Sequence, residues 1–429
     1  MTSSGWDAIW RAVDARARFG MKPGLERMAG LLEALGHPER GLSCIQVAGT
    51  NGKGSTAYAL ASLLRAAGHR TGLFVSPHLL HPSERIRLDG VPLDEKIALD
   101  AWHELEPHLE ALQPTYFELL TALALTSFRR AGLGWAVLEC GLGGRWDATS
   151  AVTPRLALLT NVGADHLGVL GPTLADVARD KAHVAPPGGI LLCAETDPAL
   201  REVVRRTVEA RGARLVLHDP SMGTCPPAPR EKLRLVDPRG GAWLEPPVDT
   251  AGWRSAAGLA LAAFRLLSAG EAGAGCRLAE DEWRGRFQVV SRDPPRVLDV
   301  AHNPPALAHL AAELARHWPD RRFNALLAGM RDKDLAGNLA ALRPVLAEVR
   351  ILLVDGHPRA ADRPEWEEAA RRAGVTATFC RRAQLDLLRN GIESGRPTDD
   401  PWMREALLVG GSFLSVAAWL GGTELPPGL

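Results

Sequence analysis

The sequence predicts an α/β protein of two domains, and three observations support this fold class. At 429 residues the chain is too long for one ordinary hydrophobic core. Residues 42–64 have the pattern of a strand, a glycine-rich loop and a helix. Beyond a proline-rich break, apolar strand segments alternate with helical segments, which predicts a second parallel sheet with helices on both faces. We expect domains at residues 1–290 and 295–429.

The stretch 42–64, LSCIQVAGTNGKGSTAYALASLL, is predicted to hold a nucleoside triphosphate. Its three glycines let backbone N–H groups face an anion, and the following helix directs its positive N-terminus at the same place. Lys53 adds a full charge. The loop departs from the usual G-x-x-x-x-G-K-[ST] pattern, because Val47 stands at the first glycine and Gly54 follows the lysine. The alternative is that Gly-Thr-Asn-Gly forms only a turn.

Composition excludes several partner classes. The 50 basic and 50 acidic side chains cancel, so no net field attracts nucleic acid or a membrane surface, and a small substrate fits better. The N-terminus, MTSSGWDAIWRAV, lacks a basic start followed by an apolar run, and no uncharged apolar stretch of about 18 residues appears. We expect a cytoplasmic protein.

Cysteine and lysine usage adds two expectations. The six cysteines are scattered without a C-x-x-C pair or zinc-type spacing, so we expect core thiols. Of the 50 basic residues only six are lysines: 22, 53, 96, 181, 232 and 333. Because lysine and arginine differ in shape and in ease of deprotonation, a lysine inside a motif of so arginine-rich a chain suggests that an amine is required there.

Two segments of the first domain have competing interpretations. Between two helices of residues 6–35, Gly20, Pro23 and Gly24 predict a loop that either closes over a ligand or only connects the helices. Thr115-Tyr116-Phe117-Glu118 opens a helix, where Thr115 and Glu118 fit a capping box. That structural role competes with ligand binding. Charges in HPSERIRLDG, Arg85 among them, are expected at the surface.

Polar residues at strand ends mark a candidate metal site. Glu139 ends the buried strand that begins at Trp135, and a glycine turn follows it. A carboxylate there, beside a phosphate loop, is where a Mg²⁺ ligand is expected. His166 follows the next strand and is a candidate second ligand. The alternatives are a solvent-facing glutamate and a surface histidine.

The second domain has polar groups at two successive strand ends. Asp299, His302 and Asn303 follow its first strand, and residues 331–334 (Arg-Asp-Lys-Asp) follow the next. Either group alone fits a turn. Two such groups, on the edge where open parallel sheets bind ligands, favour a site. A nucleotide held between the two domains would use both.

Ten motifs along the chain resemble one family. They are GTNGKGST, SPHL, ERIR, TYFE, LECGLGGRWDAT, the DH at 165–166, DKA at 180–182, WRGRFQVV, LDVAHNP and MRDKD. This set is similar to the folylpolyglutamate synthase/dihydrofolate synthase family of the Mur ligase superfamily, whose members form amides at the expense of ATP. The resemblance implies a P-loop-containing, Mur-ligase-like central domain, a smaller Rossmann-like C-terminal domain and an active site in the cleft between them. It also implies a monomer.

The resemblance assigns roles to individual residues. It implies Mg²⁺ ligands at Ser76, Glu139 and His166, and a carbamylated lysine at Lys181, which is otherwise expected to be an ordinary surface lysine at the end of a helix. It implies ATP contacts at Asn51, Gly52, Lys53, Gly54, Ser55, Arg286, Asp299 and His302. It implies substrate contacts at Arg85, Thr115, Tyr116, Phe117, Glu118, Trp146, Asp147 and Ala148.

The implied reaction adds L-glutamate to folate, with dihydropteroate as a second candidate acceptor, through an acyl phosphate. Lys53, Lys181 and His302 are the candidate catalytic residues; His302 or His166 is a candidate to take the proton from the amine. Two alternatives stay open. Another Mur-type amino-acid ligase would share the chemistry, although only 48 residues precede Gly49, too few for a nucleotide-sugar-binding domain. A P-loop NTPase switch would hydrolyse ATP without an amine substrate.

Overall fold

The computed structural model describes residues 5–16, 22–218, 224–225, 234–236, 241–267, 274–279, 282–386 and 401–422. Gly20 of the predicted N-terminal loop lies outside these ranges. The alternating pattern of the second domain also predicts a helix at residues 382–389, of which residues 387–389 lie outside them. The chain divides into two compact units. The first contains Met1–His78 and Pro82–Ala279, and the second contains Leu79–His81 and Glu280–Pro427.

The first unit is built on an eight-stranded sheet. Its strands are β1 (Ser43–Ala48), β2 (Thr71–Phe74), β3 (Ile86–Leu88), β4 (Val91–Pro92), β5 (Trp135–Glu139), β6 (Leu156–Leu159), β7 (Ile190–Cys193) and β8 (Arg214–Leu217). They lie in the order β4-β3-β2-β5-β1-β6-β7-β8. The six strands from β2 to β8 in this order are parallel, and β3 and β4 add an antiparallel edge. The predicted α/β class is confirmed.

Ten helices accompany this sheet in the described part of the first unit. They are Gly5–Asp14, Glu26–Ala34, Lys53–Ala66, Glu95–Leu105, Leu109–Leu112, Tyr116–Arg130, Leu167–Leu170, Leu174–Ala182, Pro198–Ala210 and Ala251–Leu267. Side-chain caps start several of them, since Asp94, Thr115, Thr173 and Asp197 each accept backbone N–H groups of the first turn. These caps satisfy donors that have no partner within the helix.

A small four-stranded sheet also belongs to the first unit. It contains β9 (Thr224–Cys225), β10 (Arg234–Val236), β11 (Trp243–Glu245) and β12 (Gly275–Arg277), in the order β12-β11-β10-β9. The buried Glu245 carboxylate pairs with Arg234 at 2.5 Å and with Arg277 at 2.7 Å. One carboxylate therefore links three of the four strands. The sequence patterns did not predict this sheet.

The second unit has a six-stranded sheet. Its strands are β13 (Gln288–Arg292), β14 (Pro295–Leu298), β15 (Phe323–Leu327), β16 (Leu346–Leu353), β17 (Ala377–Arg381) and β18 (Leu407–Gly410), in the order β13-β14-β18-β15-β16-β17. The pairs from β14 to β17 are parallel, as expected, and β13 adds an antiparallel edge. Helices Pro304–His317, Leu335–Leu342, Arg363–Ala373 and Phe413–Trp419 alternate with the strands.

Burial agrees with the composition. Leu298, Leu326, Val409 and Leu414 form part of the second unit's apolar core, and each is at most 1% exposed. The thiols of Cys44, Cys140, Cys193 and Cys380 are buried, which confirms the expectation of core cysteines at these positions, whereas Cys276 is only half-buried and the expectation is wrong there. Within the described ranges, no helix combines the length and the apolar character that a bilayer crossing needs.

Candidate active site

The order of the strands in the large sheet brings together four segments that carry polar residues. The central strands lie as β2-β5-β1-β6, all parallel, so their carboxyl ends share one edge. Ser76 follows β2, Glu139 ends β5, the glycine-rich loop follows β1, and Thr160 follows β6. In open parallel sheets ligands bind at this edge. The fold therefore gathers the candidate residues of the first unit in one place.

The glycine-rich loop has the backbone that a phosphate-binding loop needs. Gly52 caps the helix Lys53–Ala66 with φ +79°, a left-handed conformation that glycine adopts without strain. Gly49 has φ +149°, and a Cβ atom there would lie 1.8 Å from the Thr160 hydroxyl oxygen. Side chains are therefore excluded at this position, and the loop passes close to the end of β6. The Lys53 ammonium donates to the carbonyl oxygen of Thr50 at 3.2 Å.

Two residues directly after β6 form hydrogen bonds with the glycine-rich loop. The Asn161 side chain accepts from the backbone N–H of Asn51 at 3.0 Å and donates to its carbonyl oxygen at 3.0 Å. The Thr160 hydroxyl donates to the same carbonyl at 2.8 Å. Sequence analysis did not single out these two residues, although two polar residues directly after an apolar strand were a usable signal. They fix the conformation of the loop at Asn51.

Lys181 lies beneath the same loop. Its side chain is 4% exposed, and its Nζ donates to the carbonyl oxygen of Gly49 at 2.8 Å. Burial, followed by the nearby charge of Lys53, lowers the pKa of this amine from 10.5 to about 8. The expectation of an ordinary surface lysine is therefore wrong. A buried amine with a lowered pKa beside a phosphate loop is a candidate for functional chemistry.

Two of the three predicted metal ligands are brought together. The buried Glu139 carboxylate accepts a hydrogen bond from the backbone N–H of Ser76 at 2.9 Å. His166 is exposed on the loop after β6, in the left-handed region at φ +54°, with its Nε2 3.7 Å from the Asp165 carboxylate. Among the described residues no three His, Cys, Asp or Glu side chains form a ready metal cluster.

Two predicted substrate residues also have structural roles. Thr115 and Glu118 form the predicted capping box: the Thr115 N–H donates to the Glu118 carboxylate at 2.7 Å, and the Glu118 N–H donates to the Thr115 hydroxyl at 3.4 Å. Arg27 donates to both Glu118 oxygens, at 3.0 and 3.2 Å. The capping interpretation is confirmed, and Glu118 also ties the helix Glu26–Ala34 to this helix.

The buried Arg85 lies against the half-buried Tyr116. Arg85 is 1% exposed, donates from its Nε to the Nδ1 of His78 at 2.8 Å, and lies 5.6 Å from the Tyr116 ring centroid. The expectation that Arg85 lies at the surface is wrong, because His78 and Tyr116 provide it with interior partners. Burial raises the pKa of the Tyr116 hydroxyl. The next residue, Phe117, packs against Phe74, with 5.5 Å between the two ring centroids.

The turn after Glu139 is built around Asp147. Its buried carboxylate accepts the backbone N–H groups of Leu142 and Thr149 at 2.9 and 3.0 Å, and burial raises its pKa. Ala148 is buried beside it, whereas Trp146 is 46% exposed. The Gln46 amide, which sequence analysis missed, donates to Thr149 at 2.6 Å and so links the turn to β1. Trp146 is the one member of this trio with a large exposed side chain.

The predicted residues of the second unit cluster around the end of β14. The buried Asp299 carboxylate accepts the N–H groups of Phe287 and Ala301, both at 2.7 Å, and burial raises its pKa. The Arg286 guanidinium lies 4.9 Å from the Phe413 ring centroid. His302 donates from Nδ1 to the Val300 carbonyl at 3.1 Å, which leaves Nε2 as its acceptor nitrogen.

Comparison with known proteins identifies the family. The Mur ligase middle domain family matches residues 47–216, and the Mur ligase glutamate ligase domain family matches residues 285–398. A dihydrofolate synthase/folylpolyglutamate synthase of Bacillus subtilis is 31% identical over 375 residues, covering 81% of this chain and 85% of the relative. The chain belongs to the dihydrofolate synthase/folylpolyglutamate synthase family. Its members are ATP-dependent ligases.

Solved structures of dihydrofolate synthase/folylpolyglutamate synthase family members share the fold. The Mycobacterium tuberculosis folylpolyglutamate synthase complexed with ADP is 28% identical, with a TM-score of 0.83, and the match covers 98% of this chain and 99% of that one. The Yersinia pestis bifunctional folylpolyglutamate synthase/dihydrofolate synthase, complexed with AMPPNP and a Mn ion, is 30% identical with a TM-score of 0.77 and 97% coverage of each chain. The resemblance inferred from the motifs is thereby confirmed.

Proposed function

We propose that this protein joins L-glutamate to a carboxylate of folate, with dihydropteroate as a second acceptor, at the expense of ATP. The observation that carries the proposal is the arrangement around the phosphate loop. Within this family's fold, the loop Asn51–Ser55 is flanked by the buried Lys181 on one side and by the Glu139–Ser76 pair at the neighbouring strand ends. These are the parts that phosphoryl transfer to a carboxylate requires.

ATP is the phosphoryl donor in this proposal. Its phosphates fit the loop because Gly49 and Gly52 present bare backbone and the helix Lys53–Ala66 directs its N-terminus there. Lys53 supplies the positive charge. In the second unit, Arg286, Asp299 and His302 are the proposed further ATP contacts, supported by their clustering at the end of β14. A known relative binds AMPPNP, and another binds ADP.

The donors at the strand ends fit a magnesium ion. A carboxylate on Glu139 and a hydroxyl on Ser76 are the hard oxygen ligands that Mg²⁺ prefers, and we assign His166 as the third ligand. When bound, Mg²⁺ offsets the negative charge of the phosphates and of the group in transfer. The Ser76 N–H holds one Glu139 oxygen, which fixes the orientation of the carboxylate.

The proposed acceptor site is the surface around Trp146. The half-exposed indole offers a flat face for an aromatic acceptor, and the Asp147 cap and the Gln46 hydrogen bond keep its loop in place. Thr115, Phe117 and Ala148 are further proposed contacts. Arg85, Glu118 and Asp147 are buried in contacts with protein, and the half-buried Tyr116 lies against Arg85, so we propose that these four residues support the site from within.

The reaction proceeds in two steps. The acceptor carboxylate first attacks the γ-phosphorus of ATP and releases ADP, which gives an acyl phosphate. The amine of L-glutamate then attacks the acyl carbon, an amide bond forms, and inorganic phosphate leaves with the electron pair of the broken C–O bond. Lys53 stabilises charge on the transferring phosphoryl group. No protein nucleophile is needed. The amine must lose a proton, and His302 is the proposed acceptor through Nε2, because its Nδ1 contacts the Val300 carbonyl.

Lys181 is the proposed site of carbamylation. A free ammonium beside a metal site would repel the metal, whereas a lysine whose pKa is lowered to about 8 provides neutral amine near neutral pH. The neutral amine adds to CO₂, its nitrogen forming a bond to carbon and releasing one proton, and the product is an anionic carbamate. That anion would offer oxygen atoms near Gly49 in place of a positive charge.

The cellular setting completes the proposal. We propose a cytoplasmic monomer with domains at residues 1–290 and 295–429, acting on small molecules only. The balance of 50 basic and 50 acidic side chains supports the exclusion of nucleic acid.

Product analysis tests the function. The purified protein is incubated with MgATP, L-glutamate and either tetrahydrofolate or dihydropteroate, and the products are identified by mass spectrometry. A product one glutamyl residue heavier, formed together with one ADP, supports the proposal. A P-loop switch would instead release phosphate at a rate that is the same with and without acceptor and glutamate. Another Mur-type ligase would consume ATP with a different acceptor or amino acid.

A further inference from the structure

A surface pocket beside the Trp146 loop has no role in the chemistry described above. It encloses about 470 Å³, and its lining includes Arg145, Leu170, Pro172, Arg179, Asp180 and His183. The pocket lies within the first unit, between the turn after β5 and the helix Leu174–Ala182. Asp180 and His183 flank Lys181 in sequence. The Lys181 backbone adjoins Gly144, so the pocket borders the helix that carries the proposed carbamylation site.

The acidic side chains of the pocket already have partners. Asp176 pairs with Arg179 at 2.7 Å and accepts from the Thr173 hydroxyl at 2.6 Å. Asp180 accepts the backbone N–H groups of Gly144 and Arg145 at 2.9 and 3.4 Å. Arg179 therefore neutralises Asp176, and one Asp180 oxygen holds the loop backbone, so among the described residues neither carboxylate forms an ion pair with a further cation at the pocket.

Arg145 is a further cation in the lining of this pocket. Its guanidinium lies 4.7 Å from the ring centroid of the half-exposed Trp146. Across the described residues no carboxylate forms an ion pair with Arg145, although most arginines on the neighbouring helices have one. A stacked guanidinium keeps its N–H edge free and can bind a carboxylate through two parallel hydrogen bonds.

The loop that carries Arg145 is held tightly against the Lys181 helix. A Cβ atom on Gly144 would lie 2.7 Å from the carbonyl oxygen of Lys181 and 2.8 Å from a Val184 methyl group. Only glycine permits this close approach. Together with the two N–H contacts to Asp180, it fixes the backbone of Arg145, so the guanidinium is presented from a preorganised position.

We propose that Arg145 binds the α-carboxylate of the glutamyl residue that a folate acceptor already carries. This inference rests on the proposed function. A folate acceptor has two carboxylates at its end, the γ-carboxylate that reacts and the α-carboxylate that does not, whereas dihydropteroate has only the carboxylate that reacts. Arg145 therefore selects glutamylated acceptors. The pocket behind it accommodates the remaining glutamyl chain as the product grows.

An acceptor with one altered group tests the assignment. Pteroylglutamate and its α-carboxamide, which keeps the reactive γ-carboxylate, are compared in the wild type and in Arg145→Gln. A charged hydrogen bond of this kind corresponds to roughly a tenfold preference for the free acid. We expect this preference in the kcat/KM of the wild type, expressed mainly in KM. In Arg145→Gln we expect a preference of less than about twofold, with the KM for ATP unchanged.

Arg155→Gln is the matched control. Arg155 also lies over a tryptophan, 5.4 Å from the ring centroid of Trp135, but at the opposite end of β5. This variant should keep the wild-type preference. Circular dichroism confirms that both variants fold, and Arg145→Lys, which retains the charge, should keep an intermediate preference.

Two outcomes overturn the inference: a wild type that does not distinguish the acid from the amide, and an Arg145→Gln variant that retains the tenfold preference. Equal loss of activity toward both acceptors also overturns it, because Arg145 would then serve the whole site. If the wild type glutamylates none of the acceptors, tetrahydrofolate included, the proposed function itself fails. This outcome is distinguishable from failure of the Arg145 inference alone, in which the enzyme is active but does not prefer the free acid.

Discussion

The side chain of Lys181 reaches the carbonyl oxygen of Gly49 and donates a hydrogen bond across 2.8 Å. This contact joins the helix Leu174–Ala182 to the first residue of the phosphate loop, 132 positions earlier in the chain. The amine is buried and near Lys53, and both conditions disfavour its charged form. The loop is therefore linked to a group whose charge responds to conditions near neutral pH.

Replacement of Lys181 should abolish most of the ligase activity. Lys181→Ala removes both the contact with Gly49 and the proposed carbamate, and a short carboxylic acid added to the assay should restore part of the rate by supplying the missing anion. The measurement is the initial rate of ADP formation that depends on glutamate. Full activity in Lys181→Arg, or a high-resolution map of the MgATP complex with an unmodified amine, would remove the carbamate from the mechanism.

Protein stability should depend on pH through the same residue. Below about pH 8 the folded state contains a buried ammonium, a cost of up to roughly 3 kcal/mol, and above about pH 10.5 the amine is neutral in both folded and unfolded states. The wild type should therefore gain stability relative to Lys181→Met as the pH rises from about 8 to 10.5. Urea unfolding in CO₂-free buffers measures this difference. A difference that is constant over this range would contradict the lowered pKa.

Loss of the loop lysine should stop catalysis without unfolding the protein. Lys53 is half-buried, and its ammonium donates to the Thr50 carbonyl of its own loop rather than packing in the core, so Lys53→Ala should leave the core intact. We expect ligation to fall by about 10³-fold or more, as for other groups that stabilise charge in phosphoryl transfer. Lys96→Ala, which removes an exposed lysine from a distant helix, is the control. Unchanged product formation at saturating ATP would refute the assignment of the loop.

The metal assignment predicts a specific change in metal dependence. Glu139→Gln keeps the shape of the side chain but removes its charge, and His166→Ala removes a nitrogen ligand, so each should raise the Mg²⁺ concentration needed for half-maximal activity by about tenfold or more. Titration of activity with Mg²⁺ at fixed ATP measures this. Glu202→Gln is the control. It removes a surface carboxylate that pairs with Arg205 and Arg206 on another helix, and it should not change the titration. If all three variants match the wild type, the metal binds elsewhere.

Local patterns explain which features could be predicted. The strand, loop and helix around Lys53, and the Thr115–Glu118 cap, depend on residues that are close in sequence, and both were predicted. Contacts between distant residues were not. Arg85 is buried because His78 and Tyr116 surround it, and Lys181 is buried because the loop at Gly49 lies above it. A charged side chain carries no sign of such partners in its own segment.

The four-stranded sheet and the hydrogen bonds that hold Asn51 could not be predicted from the sequence, for related reasons. Strands of two or three residues, such as Thr224–Cys225 and Arg234–Val236, are too short to show alternation between apolar and polar residues. The hydrogen bonds between Asn161 and Asn51 depend on the pairing of β1 with β6, which no local sequence pattern indicates. The proximity of Arg145 to the Lys181 helix likewise follows only from the folded turn.

The stoichiometry of a single reaction tests the proposed acyl phosphate pathway. The wild-type protein is supplied with MgATP, L-glutamate and a folate acceptor whose γ-carboxylate is labelled with ¹⁸O, and ADP, phosphate and pteroyl products are measured together. An acyl phosphate pathway predicts one ADP for each glutamyl residue added, with one labelled oxygen transferred from the carboxylate to inorganic phosphate. ATP hydrolysis without glutamylated product, or amide formation that leaves phosphate unlabelled, would contradict it.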